Sequence, residues 1–196
     1  MKEHFTEMLF AFDCGSDAEV QSEQAVKAFK AFVSAQKKLD GAANLTGLSF
    51  NNEVITVFDN KPIAKIGGKD YRFDLSNGCG ECRMLDAASE LMDSVGVRLA
   101  ATPEEERPSL VICTINVFGR DNASKKCTYD HLAGMIAHQR DVYKWKFFLM
   151  TDFTINMEKL GISPDDTIVM HKDEPDMFKP AYEELSSRIE QLRRRI

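Results

Sequence analysis

The sequence has no surplus of basic residues, no long apolar run, no secretory leader and no even-numbered cysteine framework. Each absence excludes a class. Across 196 residues, 25 Lys and Arg face 31 Asp and Glu, a formal charge of −6 with the four histidines neutral. A nucleic-acid binder would show the opposite balance, matched to phosphate. No apolar stretch approaches the roughly 20 residues that span a bilayer, so no membrane partner is expected. The opening residues, Met1-Lys-Glu-His-Phe-Thr-Glu-Met8, put charge where a signal peptide needs an unbroken apolar segment. The cysteines Cys14, Cys79, Cys82, Cys113 and Cys127 are odd in number. They suit a reducing compartment better than a disulfide framework, and a cytoplasmic protein is expected.

Motifs that carry chemistry are missing too. There is no nucleophile elbow, Walker loop, dinucleotide fingerprint or HExxH pair. Gly78-Cys-Gly80 is half a phosphate loop and does not follow a strand directly. His131 and His138 share a helix face at two-turn spacing without site-like partners, so an exposed face explains them. The chain is therefore expected not to be an enzyme.

What is there is a globular composition, 43% apolar and 29% charged, with no internal repeat. The length suits one domain over residues 1–196. Glu7–Asp13 is an apolar run ending in the turn Cys14-Gly-Ser16, and reads as a buried strand. A helix follows on Ala25, Val26, Phe29, Phe32 and Val33, stopped by Gly41. Ala43–Phe50 and Glu53–Phe58 form a hairpin around Asn51-Asn52, two residues that tolerate positive φ. Residues 60–82 read as loop, and Met84–Leu99 returns to helical spacing. Ala101–Pro108 is a charged, solvated connector. Leu110–Phe118, rich in β-branched residues, is expected to be a central strand buried on both faces, with Cys113 as a small hydrophobe. Thr128–Val142 reads as helix, and Trp145–Met150 as a strand whose tryptophan packs in the core. A short helix over Ile155–Leu160 closes at Gly161, before a last strand, Thr167–Met170. The final helix opens on Asp173-Glu174-Pro175-Asp176 and closes on Arg193-Arg194-Arg195, with Phe178, Tyr182, Leu185, Ile189 and Leu192 as its buried stripe. The arginine triplet reads as a solvent-exposed complement to the helix dipole.

Strands separated by helical crossovers, with one hairpin, imply an α/β doubly wound three-layer sandwich with a mostly parallel, Rossmann-like sheet. Ligands in such folds bind beyond the carboxyl ends of the strands.

An ordered series of segments is more specific. It runs Asn60-Lys-Pro-Ile63, Tyr71, Gly80-Glu-Cys-Arg-Met-Leu-Asp-Ala87, Pro103–Pro108 and Gly119-Arg-Asp-Asn-Ala-Ser124. It continues through Tyr129, Met135-Ile136, Gln139, Lys144–Phe148 and Leu160-Gly161-Ile162. At these spacings the chain resembles a bacterial group of von Willebrand factor type A domains over about residues 7–170. The resemblance implies the sandwich above and a metal-ion-dependent adhesion site on top of the sheet. That site takes its ligands from Asp-x-Ser-x-Ser, a Thr and a later Asp. Mg²⁺ demands such hard oxygens, and a carboxylate from a partner protein completes its shell.

Here the implied ligand set is altered. Asp13 keeps the first carboxylate, Gly15 and Asp17 replace the two serines with Ser16 between them, Cys82 stands for the threonine, and Phe118 for the second aspartate. A thiol is soft and a phenyl ring has no donor atom. No Mg²⁺ site and no cofactor are therefore expected. A rearranged divalent-cation site on Asp13, Ser16 and Asp17, with Asp121 nearby, is an alternative. The expected function is a non-enzymatic protein-interaction module with a lost or rearranged metal site, in which Phe118 is either an apolar contact or buried beneath the loops. The other alternative is a thiol site on Cys14, Cys79 and Cys82. It would bind zinc, with Asp13 or Asp17 as fourth ligand, or act as a redox dithiol, Cys82 being near a helix N-terminus that lowers its pKa.

Overall fold

The structure is a computed structural model that describes residues 1–14, 22–71, 80–152, 157–171 and 173–196. Its strands are β1 (Lys2–Asp13), β2 (Ala42–Phe50), β3 (Val54–Pro62), β4 (Pro108–Val117), β5 (Lys146–Thr151) and β6 (Thr167–Val169). They form one sheet in the order β3-β2-β1-β4-β5-β6. All neighbours are parallel except the β2–β3 hairpin. The described helices are α1 (Ser22–Gln36), α2 (Met84–Ala101), α3 (Tyr129–Tyr143), α4 (Met157–Leu160) and α5 (Phe178–Arg193).

The central strands read as unbroken apolar runs because both faces are covered. Met8, Phe10 and Phe12 of β1 enter one core with α1 and α5, while Leu9 and Ala11 enter the other with α2 and α3. The first core is aromatic: Phe10 stacks on Phe12 at 5.4 Å and meets Phe29 and Phe32 edge-on. Cys113 and Trp145 are buried in the second, as expected. Burial pushes the Cys113 thiol up to about 12. His131 and His138 are exposed on α3.

Several local expectations need correcting. β1 begins at Lys2, not Glu7, because the early residues pair with Pro108 and, after a register shift, with Leu110 and beyond. The hairpin forms without positive φ at Asn51 or Asn52. Instead Asn51 Oδ1 accepts Glu53 N at 2.9 Å, closing a three-residue loop through a side chain. β3 extends to Pro62, and the stretch expected as loop holds 3₁₀ turns at Ile63–Lys65 and Gly68–Tyr71. α1 ends at Gln36, short of Gly41; Gly41 has φ +85°, and a Cβ there would fall 2.5 Å from His4 O. Ile155 lies outside the described residues, and α4 closes at Gly161 (φ +65°). Arg193 is buried rather than solvated. Its guanidinium donates to Gln36 O and Oε1 and to Gly41 O, binding carbonyls at the C-terminal end of α1.

No described helix is long and apolar enough to cross a membrane.

Candidate functional site

The carboxyl ends of β1 and β4 and the start of α2 meet on the top of the sheet. Asp13, the last residue of β1, is buried, and its Oδ2 accepts the backbone N–H of Phe118 at 2.9 Å. The Cys82 thiol donates to the same oxygen over 4.0 Å. The structure therefore brings Asp13, Cys82 and Phe118 together. Cys14 follows Asp13, is buried, and donates its N–H to Phe50 O at 2.8 Å. Gly15, Ser16, Asp17 and Cys79 lie outside the described residues.

Phe118 is only 5% exposed and meets Phe178 of α5 edge-on at 5.2 Å. Of the two roles expected for it, burial beneath the loops is the one the geometry has. Cys82 reverses another expectation. Burial, and then the charge of Asp13, push its thiol well above the usual range, outweighing the backbone N–H of Met84. A helix start alone does not make a reactive thiolate when the sulfur is desolvated beside a carboxylate.

Asp121 is not a spare oxygen donor, because its carboxylate is engaged in capping α2 from outside. Its Oδ2 accepts Leu85 N at 2.9 Å and Ser124 Oγ at 2.6 Å, and its Oδ1 accepts Ser124 N at 3.2 Å. Asn122 works alongside it, accepting Cys82 N at 2.8 Å and donating to Gly80 O at 3.0 Å. From the other side, Asp86 of α2 accepts the N–H groups of Lys125, Lys126 and Cys127 and pairs with Arg83 at 2.7 Å. Burial works to raise the Asp86 carboxyl, but the Lys125 amide, the Arg83 guanidinium and the other two amides together hold it far below the usual range. Loop 119–128 is thus fastened to residues 80–86 in both directions. Asp86, Asn122 and Ser124 were missed as site-building residues. The signals were an acid in the first turn of a helix and a run of Asp, Asn and Ser able to cap one. Tyr129 at the start of α3 adds a half-buried phenol under the Lys159 ammonium, which lies 5.8 Å from the ring centroid.

No protein-family model and no curated protein sequence matches the chain. Solved structures do. Proximal thread matrix protein 1 from the mussel byssus, with a zinc-occupied adhesion motif, superposes with a TM-score of 0.62 at 12% identity over 97% of this chain and 47% of that one. A von Willebrand factor type A protein from Catenulispora acidiphila gives 0.61 at 12% identity, over 95% of this chain and 42% of that one. The fold is von Willebrand factor type A-like. The chain spans about half the length of these matched structures.

A von Willebrand A-like fold implies a cation at the top face, and the residues present can be tested against one. Among the described residues the donor atoms at this place include the Asp13 carboxylate, already bonded to a backbone N–H, the Asn116 side chain, Cys14, and the Cys82 thiol, which burial keeps protonated. The residue in the second aspartate's place is a phenylalanine packed into the core. The thiol and the phenyl ring do not supply the hard oxygens that Mg²⁺ takes; Ser16 and Asp17 lie outside the described residues. Nor does any group of three or more His, Cys, Asp and Glu among the described residues stand ready to hold a metal.

Proposed function

We propose that this chain is a non-enzymatic protein-interaction module whose von Willebrand A-like top face engages a protein partner without a metal ion. The bond from Phe118 N to Asp13 Oδ2 carries the reading, because it gives the remaining carboxylate a backbone partner where a metal-binding face would keep it for a cation. The fastening of loop 119–128 supports it as well. A surface already ordered through Asp86 and Asp121 loses little entropy when a partner docks. Exposed Arg120, Lys125 and Lys126 on that loop supply polar contacts at its rim.

The test is affinity capture in EDTA and in Mg²⁺, repeated with Lys125→Glu/Lys126→Glu, beside elemental mass spectrometry of protein purified under reducing conditions without chelator. A partner retained in EDTA and lost with the variant supports the proposal. A partner held only in Mg²⁺ overturns it in favour of a rearranged cation site, and about one zinc per chain overturns it in favour of the cysteine site.

A further inference from the structure

We infer that an ordered water molecule is bound beneath the top face, with Asn116 Oδ1 as its anchor. Asn116 lies on β4 and is 3% exposed. Its Nδ2 is committed to Ala11 O at 3.3 Å, while Oδ1 is buried with no hydrogen-bond partner among the described residues. Buried acceptors in folded proteins are almost always satisfied, by protein or by water.

The space for that water is present. A cavity of about 30 Å³ lies between β1, β4, α1 and α5, and Asn116, Cys14, Tyr182, Phe29 and Phe178 are among its walls. A water needs about 10–15 Å³ by this measure together with two to four polar partners. The cavity is therefore large enough for a water. Purely apolar cavities of modest size stay dry, and what distinguishes this one is its polar share. Tyr182 lines the same cavity, and in the inferred arrangement its hydroxyl is the second partner. Burial, and then Cys14, raise its phenol above the ordinary value. The phenyl rings of Phe29 and Phe178 offer no hydrogen bond, so the polar groups that orient the molecule are Asn116 and Tyr182, with Asp13 and Cys14 also on the cavity wall. Bound there, the water joins β4 to α5, which the contact of Phe118, just after β4, with Phe178 also links. The inference does not depend on the metal-free reading of the face above.

The experiment is a crystal structure of the chain at a resolution that shows ordered solvent, together with ¹⁷O relaxation dispersion of the wild type, Asn116→Leu and Tyr182→Phe. The expected result is a solvent peak about 2.7–3.2 Å from Asn116 Oδ1. One long-lived water should be lost in Asn116→Leu, and its residence should be shorter in Tyr182→Phe. Should Asn116→Leu fail to fold, the crystal peak and Tyr182→Phe still decide. A cavity without density, a protein donor on Oδ1, or dispersion unchanged in both variants overturns the inference.

Discussion

Asp13 and Phe118 are joined by a 2.9 Å hydrogen bond from the Phe118 backbone N–H to Asp13 Oδ2, a staple between the ends of the two central strands. Both residues are buried, so the N–H has no water to turn to if the acceptor is removed. Asp13→Ala is expected to destabilise the chain by about 1–3 kcal/mol, the cost of an orphaned buried donor. Asp13→Asn keeps an oxygen in place and should cost less. Urea unfolding of both variants checks the order. Equal losses would mean that the carboxylate's charge, and not its acceptor role, is what the fold uses.

Restoring a cation site has a structural cost that spacing alone does not reveal. Phe118→Asp with Cys82→Thr supplies two hard oxygens beside Asp13, but it also removes a ring packed on Phe178. Deleting a buried phenylalanine costs about 3–5 kcal/mol. The double variant should therefore melt lower than the wild type in EDTA and recover part of the difference in millimolar Mg²⁺, by mass action on the folded state. The wild type should show no Mg²⁺-dependent shift. A double variant equally indifferent to Mg²⁺ would mean that the top loops are not aligned as a von Willebrand A-like site requires.

Asp86 holds loop 119–128 through three backbone amides. Asp86→Ala should expose the amides of Lys125, Lys126 and Cys127 to solvent and raise their hydrogen exchange by orders of magnitude relative to the sheet. The linkage sign is that of a depressed carboxyl. The stabilisation is present above the ordinary aspartate value of 3.8 and is lost as pH falls through the lower folded value. Amide exchange measured by mass spectrometry, with β4 as internal reference, is the check. Unchanged protection at 125–127 would show that Asp121 and Asn122 suffice to hold the loop.

Much of this fold is legible in the sequence because it is written in runs. β4 announces itself as the apolar run Leu110–Phe118, most of which packs on both faces, and α5 by its Phe178, Tyr182, Leu185 and Ile189 stripe. The ordered segments around Gly80–Ala87 and Gly119–Ser124 turned out to be the two halves of one fastened structure. What stayed hidden depends on partners distant in sequence. Nothing near Arg193 marks it as different from Arg194, since the carbonyls it binds lie 157 residues away at Gln36 and on Gly41. Cys82 invited a local argument from the helix start, and lost it to burial and to Asp13, 69 residues away. Asp121 was expected as an oxygen near the top face, but its oxygens accept from Leu85 and Ser124.

Glu7 is the other residue that an apolar run conceals, and it sets a pH dependence. The side chain is fully buried in β1, where Oε1 accepts Thr46 Oγ1 at 2.8 Å and Arg98 Nη2 at 2.9 Å, while Oε2 has no hydrogen-bond partner among the described residues. Burial raises its carboxyl above the ordinary 4.5, outweighing Arg98 and Thr46, and the charge of Asp59 adds to the rise. Between the unfolded and folded values the folded chain binds the extra proton, so stability increases as pH falls through that window. This contribution is complete below the unfolded value and is lost as pH rises through the folded one. Each unit between the two values is worth about 1.4 kcal/mol. Glu7→Gln removes the titration, so the stability of the wild type relative to the variant should grow as pH is lowered from 7 toward 4.5. Arg98→Met removes the largest opposing effect and should move the same rise to higher pH. Chemical unfolding across this range checks both variants. Parallel curves for the wild type and Glu7→Gln would mean that Glu7 titrates alike in the folded and unfolded chain, and that its burial is relieved by water reaching Oε2.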